Sequence, residues 1–474
     1  MLSLRTPVLA AASLLAIFAA APCLAADGVP DQGFGTGGAA FITPDDVEAR
    51  ELQPFAAAVL PDGKLLFGGS RSKYNPAVPF EPEYRAMLAQ MNPDGSVDTN
   101  FGDTTIPGVV VLPNLVPPNR LEGIESMRRL DDGSIVAVGV SMVNGPLTGF
   151  VVKLDATGAI DTNFGTDGTV LVTATYLHSV AIDSQGRIVA CGEHIASGLY
   201  TSTVIRLAAD GSFDDTFGTG GTATIDWDGA GQSGYCNSMA LTADDGVVVG
   251  GFYEVYGSGL GSDFALARLQ ADGTLDTTFA GTGWRVFHDE TETSTINGIN
   301  RLALTPDGNI AFGGYHTAGE NITGLILGQV LANGDSDLAF GDVANPGYFK
   351  PAILPNAQNA YPSSLLVQGD GKLIVSVTYF AFPDKQDFFA LRTTATGQLD
   401  TTFADSGIFD FDLAPAGVYS DLSTMTFQPD GNLILAGRSM RAQPEDSPLV
   451  DLGVMRLLNG GAPDDRIFAN GFDE

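Results

Sequence analysis

The chain has 474 residues, of which 44% are hydrophobic and 17% are charged, and its formal net charge is −33 at pH 7. So strong an acidic excess repels nucleic acids and anionic membranes, and neither is expected as a partner. We interpret the excess of acidic residues as a surface that keeps the protein soluble. The apolar content is ample for a large core and excludes an intrinsically disordered chain.

Residues 1–25 have the pattern of a secretory signal peptide. Arg5 supplies the positive start, and residues 8–21 form an apolar stretch that is too short to span a membrane comfortably. Small residues before Ala26 predict cleavage there, and the residues that precede Cys23 disfavour a lipid anchor on its thiol. We therefore expect a protein that is secreted, periplasmic or at the cell surface, without membrane insertion.

A turn of the Asp-Gly type recurs along the chain between two short runs of Val, Ile and Leu. Because Gly tolerates the positive φ of a tight turn, each copy predicts a β-hairpin that joins a strand a to a strand b. The small residues that close strand b suit a close approach of neighbouring backbones. The seven copies occupy residues 60–69, 130–139, 183–192, 243–251, 305–314, 368–377 and 428–437.

A second phrase, a turn Gly followed by Asp and then by Phe, recurs at residues 28–35, 95–102, 158–165, 211–218, 273–280, 334–341 and 397–404. A residue needed once per repeat is expected to serve the fold. The short Asp side chain can accept backbone N–H bonds and lock the turn, and the Phe ring can pack between neighbouring repeats. These residues are Asp31, Asp98, Asp161, Asp214, Asp276, Asp337 and Asp400, with Phe34, Phe101, Phe164, Phe217, Phe279, Phe340 and Phe403.

The two phrases divide each repeat into four short strands, a to d, and no segment has sustained helical periodicity. The sequence therefore predicts an all-β fold, a seven-bladed β-propeller of four-stranded antiparallel blades over residues 26–468, with a short tail at 469–474. The last strand c, at 452–458, has no strand d after it. We expect residues 38–42 near the N-terminus to supply that strand and close the last blade.

Candidate binding residues occupy one equivalent position, just past the end of strand b, where the repeats differ. They should lie on one rim of a propeller, where cationic and aromatic side chains could bind an anionic or sugar-like ligand. A varied loop surface is the favoured alternative, because loops vary by default. The candidates are Arg71, His194, Tyr253, His316 and Tyr379, with Ser141 and Ser439 at the same position.

Catalytic and metal motifs are incomplete in this chain. A hydrolase or lyase with His194 or His316 as acid or base is the alternative to a binding function, but no nucleophile elbow or zinc-binding helix accompanies the histidines. The segment 226–229 reads Asp-Trp-Asp-Gly and lacks the later ligands of a calcium loop, so we interpret it as a turn. Neither a metal nor a cofactor is expected.

Two cysteines, Cys191 and Cys236, follow the signal peptide. The end of strand b in the third repeat and the start of strand a in the fourth should lie at the same rim, so a disulfide is one possibility in an oxidising compartment. Two separate buried thiols are the favoured alternative, because a disulfide also needs Cα atoms within about 7 Å of each other.

The pairing of the two phrases resembles the delta-60 repeat family, a bacterial β-propeller repeat. Residues 428–437 match the hairpin half of the family's repeat most closely, and residues 268–283 match the Asp-Phe half. The resemblance extends from residue 27 to about 468. The resemblance implies a propeller and no known reaction. We therefore expect an exported, non-enzymatic binding or scaffold protein, a monomer that holds a protein or glycan at one rim or in the central channel.

Overall fold

The computed structural model describes residues 27–44, 50–73, 83–102, 106–117, 121–142, 147–227, 232–254, 261–288, 296–318, 322–351, 357–381, 386–414, 419–441 and 449–459. The signal peptide predicted at 1–25 and the tail predicted at 469–474 lie outside the described residues. Within the described ranges all regular secondary structure is β, in 32 strands without a helix, which confirms the all-β class.

The strands are short and follow one another in the order that the turns predict. The first are β1 (Val29–Pro30), β2 (Ala39–Ile42), β3 (Glu51–Val59), β4 (Leu65–Lys73), β5 (Glu83–Met91), β6 (Val109–Val111), β7 (Leu121–Arg129), β8 (Ile135–Met142), β9 (Thr148–Leu154) and β10 (Thr169–Thr173). They continue with β11 (Thr175–Ile182), β12 (Ile188–Ala196), β13 (Leu199–Leu207), β14 (Thr222–Ile225), β15 (Ser233–Gly234), β16 (Ser238–Leu241), β17 (Val247–Glu254), β18 (Ser262–Leu269), β19 (Trp284–Phe287) and β20 (Asn297–Leu304). The last are β21 (Ile310–Ala318), β22 (Ile322–Val330), β23 (Gly341–Asp342), β24 (Asn345–Pro346), β25 (Tyr348–Phe349), β26 (Ala357–Val367), β27 (Leu373–Ala381), β28 (Phe388–Thr393), β29 (Ile408–Phe411), β30 (Ser420–Phe427), β31 (Leu433–Arg441) and β32 (Leu449–Leu458).

Hydrogen bonding gathers these strands into four-stranded antiparallel groups. The groups are β3 to β6, β7 to β10, β11 to β14, β16 to β19 with β15 beside β17, β20 to β22 with β25, and β26 to β29. The strands β30 to β32 form a further group, to which β2 is added in register from Ala39 opposite Met455 to Ile42 opposite Leu452. The larger sheets are pairs of these groups joined by single parallel bridges, such as Glu51 opposite Val450.

The first strands of the groups, which we call the inner strands, are β3, β7, β11, β16, β20, β26 and β30. Each contacts the next in chain order, and β30 contacts β3. The hydrophobic core lies between neighbouring groups rather than within one. Val138 and Val151 of one group, for example, share a buried cluster with Leu177 and Ile188 of the next group. Burial of this apolar surface is the main stabilising term for the packing of group against group.

The Asp of each Asp-Phe phrase locks its turn, as the sequence predicts. The side chain of Asp214 accepts the backbone N–H of Thr216 at 3.0 Å and the Nε–H of Arg206 at 2.8 Å. Arg206 also donates from Nη1 to the carbonyl of Ala271, one repeat further along the chain. The other six aspartates, Asp31, Asp98, Asp161, Asp276, Asp337 and Asp400, accept the same backbone bond from the residue two places on.

The Phe of each phrase packs between groups, which confirms the second structural prediction. The guanidinium of Arg206 lies 4.6 Å above the ring of Phe217, and the Gly273 turn of the next repeat lies directly against that ring. Gly218 then donates its backbone N–H to the carbonyl of Asp272 at 2.8 Å. All seven phenylalanines, Phe34, Phe101, Phe164, Phe217, Phe279, Phe340 and Phe403, are buried. We call this arrangement of Arg, Asp and Phe the latch.

Candidate functional site

The inner strands carry a β-bulge at one equivalent point. A bulge inserts one extra residue, which interrupts the alternation of faces along the strand and changes the direction of a side chain. In β16 the equivalent residue, Asn237, lies in the break between β15 and β16. The extra residues in the other inner strands are Phe55, Glu125, His178, Asn300, Ser363 and Ser423.

The small residues that close strand b are explained by these bulges. In the third group the bulge turns the carbonyl of Tyr176 towards Gly192, where the Cβ of any larger residue would overlap the carbonyl oxygen. Gly69 faces the carbonyl of Gln53 in the same way. The close backbone approach predicted from the sequence is therefore confirmed, and it serves to turn the bulged residues.

A cavity of about 240 Å³ lies where the inner strands meet, and we call it the inner cavity. Its lining comes from all seven inner strands or the residues next to them. The lining includes the bulge residues Phe55, Glu125, His178, Asn237, Asn300 and Ser363, together with Arg128 and Arg301. Most of the lining is thus polar or charged and is held on strands rather than on loops, which keeps side chains in fixed positions.

Glu125, His178 and Arg301 are three of the four charged residues of this lining, and each comes from a different inner strand. Burial raises the pKa of the Glu125 carboxyl, although the charges of His178 and Arg301 oppose the shift. Burial lowers the pKa of Arg301, and the charge of Glu125 opposes it. Each charge therefore affects the pKa of the others across the cavity, where the three side chains are half-buried.

His178 pairs with a second carboxylate, that of Glu193. Its Nε2 lies 3.1 Å from Oε1 of Glu193, a buried residue of β12. Burial alone would lower the pKa of His178, but the hydrogen bond and charge of Glu193, with the charge of Glu125, outweigh burial and raise it. The ring also stacks against Tyr176 with its centroid 5.8 Å away. The imidazolium form is therefore favoured relative to an exposed histidine.

The two arginines are anchored through backbone carbonyls. Arg301 donates from Nε to Ser363 and from Nη1 to Asn300, both at 2.8 Å. Arg128 is only 5% exposed and donates from Nη1 to Met127 at 2.6 Å, and burial lowers its pKa to about 9. Both side chains keep their charge at neutral pH and are oriented by the backbone.

Hydrogen bonds between neighbouring inner strands fix the lining further. Asn237 donates from Nδ2 to the carbonyl of Ile299 at 2.8 Å, and Ser363 donates from Oγ to the carbonyl of Leu422 at 2.7 Å. Because these bonds join separate groups, a change at one lining residue affects the neighbouring group as well. The inner cavity is a preorganised site in this sense.

The five candidates predicted for a rim lie elsewhere. The sequence prediction placed them just past the end of strand b, but Arg71, His194, Tyr253, His316 and Tyr379 all lie within strands, and none lines the inner cavity. Ser141 and Ser439 also lie within strand b and are buried. The strands run further than the alignment of hairpins indicated, so the expected loop position is covered by neighbouring chain.

Most of these candidates are buried and contact other parts of the protein. Tyr253 and Tyr379, each 6% exposed, belong to hydrophobic clusters between groups. Arg71 and His316 are buried, while His194 is half-buried and its Nδ1 lies 3.2 Å from Oγ1 of Thr175. Their role as ligand contacts stays a prediction, and their burial leaves a ligand little surface to bind.

The two cysteines are joined in a disulfide. Cys191 of β12 and Cys236, which precedes β16, have Cα atoms 6.1 Å apart and are both fully buried. The sequence left the pairing open and favoured separate thiols. Close packing of neighbouring groups brings the two strand ends within the required distance, so the favoured alternative is wrong and the bond links the third group to the fourth.

No metal centre stands out in the described part of the chain, where no cluster of three His, Cys, Asp or Glu side chains could hold an ion. The predicted Asp-Trp turn is described as far as Trp227, whose buried ring donates from Nε1 to Oγ of Ser202 at 3.0 Å. The rest of that segment, 228–229, lies outside the described residues. Among the described residues, no helix has the length and apolar character needed to cross a membrane.

The residues of the inner cavity escaped the search for candidates, although a signal for them exists. Counted back from the Gly of each hairpin turn, the bulge position is the eighth residue before that Gly in six of the seven repeats, as in Glu125 before Gly133 and His178 before Gly186. That position varies between Phe, Glu, His, Asn and Ser, whereas the residues after it are mostly small or apolar. Aligning strand a rather than the end of strand b would have found it.

Comparison with known proteins supports β-propeller repeats. Five segments, residues 60–101, 130–164, 184–217, 243–279 and 368–403, match the family described as domain of unknown function (DUF5122) beta-propeller. These matches support a β-propeller repeat protein, as the resemblance predicts, without establishing the delta-60 name. No curated protein matches the chain.

Solved structures with some likeness include a protein of unknown function from Dyadobacter fermentans, with 12% identity and a TM-score of 0.43 over 73% of this chain and 94% of that one. The β-propeller domain of the trilobed protease from Pyrococcus furiosus has 8% identity and a TM-score of 0.40 over 87% and 99%. An alpha-L-arabinanase from Penicillium chrysogenum has 11% identity and a TM-score of 0.39 over 88% and 97%. At these TM-scores the likenesses carry no functional inference.

Proposed function

We propose that the four-stranded groups are the seven blades of a β-propeller and that the N-terminal strand β2 closes the last blade. Two observations support this proposal. Each inner strand contacts the next, with β30 against β3, and β2 pairs with β32 although the two are more than four hundred residues apart in sequence. The inner cavity then lies in the central channel, and the edge strands left at the outside of the blades, such as β6 and β14, are short, which limits aggregation.

We further propose that the protein is an exported, non-enzymatic binding or scaffold propeller that holds a glycan or a protein segment in this channel. The ring of bulged residues around the inner cavity carries the proposal. The repeat supplies a scaffold, and the bulge position is where the repeats present different polar and aromatic groups to one shared cavity. Export rests on the signal peptide pattern at residues 1–25, and we expect a monomer.

A ligand screen by thermal shift tests this function. Mono- and oligosaccharides and short peptides would be added to the purified protein, to Asn300→Trp, which fills the inner cavity, and to Leu338→Trp as a control. Leu338 is 69% exposed and does not line the cavity. A ligand of the channel should stabilise the wild type and the control by about 2.7 kcal/mol at a hundredfold excess over its Kd, and should not stabilise Asn300→Trp.

Two results would contradict a channel binding function. One is that no compound raises the melting temperature of the wild type. The other is that every active compound stabilises Asn300→Trp equally well. His178→Ala, which enlarges the cavity instead of filling it, provides a second variant in case the tryptophan prevents folding.

A hydrolase or lyase is the second candidate, and one observation favours it. Glu125 and His178 line the same cavity, and both have a raised pKa, so they could act as acid and base on a bound substrate. This assignment replaces His194 and His316, which do not line the cavity. If the protein turns over a bound glycan, Glu125→Gln should abolish product formation while binding persists; no turnover by the wild type would argue for binding alone.

A further inference from the structure

The charge of the inner cavity differs from that of the strongly acidic protein as a whole. The chain carries a formal net charge of −33, but the charged side chains of the lining are Arg128, Arg301, Glu125 and His178. When Glu193, which pairs with His178, is included, two guanidinium groups and two carboxylates leave a net charge of zero with the histidine neutral and +1 with it protonated. Glu125 is the only carboxylate of the lining near Arg301, so an anion beside this guanidinium would offset part of its solvation cost.

The contacts of Arg301 leave one edge of its guanidinium available. Nε and Nη1 donate to the carbonyls of Ser363 and Asn300, whereas Nη2 has no hydrogen-bond acceptor among the described residues. The two carbonyl bonds fix the plane of the group, so that Nη2 is oriented in advance. A planar carboxylate suits such a donor better than a spherical ion does, because guanidinium and carboxylate geometries match.

We propose that the inner cavity binds a small sugar acid, a hydroxylated molecule with a single carboxylate, which Arg301 and Arg128 hold by its charge. This proposal rests on the proposed channel function and names its ligand class. The amides of Asn237 and Asn300 suit the hydroxyl groups of the ligand, and Phe55 offers an apolar face to its ring.

The carboxylate of Glu125 favours a ligand with one negative charge over a ligand with two. A phosphate with two charges would lie in the same small cavity as this carboxylate and would be repelled by it. A single carboxylate is balanced by the second arginine. Glu125 also makes binding depend on pH, together with His178, Glu193 behind it, and the two arginines. As the pH falls, Glu125 and His178 gain protons, the cavity becomes more positive and the ligand binds more tightly.

Calorimetric titration of the purified protein tests the proposal, with sodium glucuronate, glucose and inorganic phosphate as probes. Glucuronate should bind, and more tightly at pH 5 than at pH 8, while glucose and phosphate should bind at least about tenfold more weakly. Arg301→Gln should weaken glucuronate binding by about tenfold or more. Arg285→Gln is the matched control: Arg285 likewise donates from two nitrogens, to Gly334 and Ser336, but lies outside the cavity.

Several results would overturn the sugar-acid proposal. They are the absence of glucuronate binding, equal binding of glucose or phosphate, and equal losses in Arg301→Gln and Arg285→Gln. The proposed channel function has a separate readout. If a neutral glycan binds the wild type and not Asn300→Trp, the channel is still the binding site, but its ligand does not need a carboxylate.

Discussion

The latch between β32 and the N-terminal segment is the point at which the proposed ring closure can be tested. Arg456 donates from Nε at 2.8 Å and from Nη2 at 2.6 Å to Asp31, from Nη1 to the carbonyl of Pro93 at 2.8 Å, and lies 5.0 Å above the ring of Phe34. The contact between Arg456 and Asp31 joins residues 425 positions apart. The substitution Arg456→Ala removes all of these contacts.

The matched control is Arg268→Ala, because the Arg268 latch makes the same contacts within continuous chain. Arg268 lies 2.7 Å from Asp276, donates to the carbonyl of Ala332 at 2.5 Å and lies 5.3 Å above Phe279. The ion-paired hydrogen bonds contribute about 2 kcal/mol at this partial burial, and the stacked ring and the carbonyl bond about 1 kcal/mol each. Since such terms are not additive, we expect each variant to lose about 3 kcal/mol of unfolding free energy.

Hydrogen exchange distinguishes the two variants beyond this common loss. In Arg456→Ala the segment that contains β1 and β2 has lost a main attachment to β32, so its amides should exchange much faster while the other strands stay protected. In Arg268→Ala the corresponding strand β19 remains tied to β18 by the short chain between them, and β1 and β2 should keep their protection. Equal amide exchange rates of β1 and β2 in the two variants would contradict the proposal that the Arg456 latch attaches these strands to β32.

Three further predictions concern single groups. Asp214→Asn should cost about 2 kcal/mol of unfolding free energy at pH 7, because the hydroxyl of Thr216 and other donors hold the pKa of Asp214 at about 2. That stability is present above the ordinary pKa of 3.8 and is lost as the pH falls towards 2, so urea melts should differ at pH 7 and converge near pH 2; a constant gap would contradict the assignment. Reduction of the disulfide between Cys191 and Cys236, which are separated by 45 positions, should cost about 4 kcal/mol of unfolding free energy on the chain-entropy estimate, and an unchanged urea midpoint after reduction would contradict it. Glu125→Gln should stabilise the protein more at pH 8 than at pH 5, because the folded state binds the proton of Glu125 more tightly than the unfolded state and the penalty grows as the pH rises above the ordinary pKa of 4.5; equal melting-temperature differences at both pH values would contradict this.

Repetition is why most of the fold could be predicted from the sequence. Each Asp-Gly turn marks a hairpin, and the structure has strands on both sides of it, as β3 and β4 flank residues 60–64. The Asp-Phe phrase was assigned to the fold because it recurs, and Asp214 and Phe217 have the expected contacts. Local turn chemistry and a repeated pattern are sufficient for this level of structure.

The candidate site was not predictable by the same route, for a physical reason. A bulge breaks the two-residue alternation that assigns side chains to a face, so the pattern of β7 or β11 alone does not place Glu125 or His178 in a cavity. Cavities also depend on how separate groups meet, which no single repeat encodes. Tyr253 shows the converse: its varied position at the end of a hairpin predicts a surface residue, but the packing of groups buries it.

A crystal structure of the protein grown with glucuronate would show whether the inner cavity holds the ligand. We expect a sugar acid within the ring of bulged residues, with its carboxylate at hydrogen-bond distance, about 2.7–3.2 Å, from Nη2 of Arg301. Glucuronate bound only at another surface, or an inner cavity filled with water alone at saturating glucuronate, would contradict it.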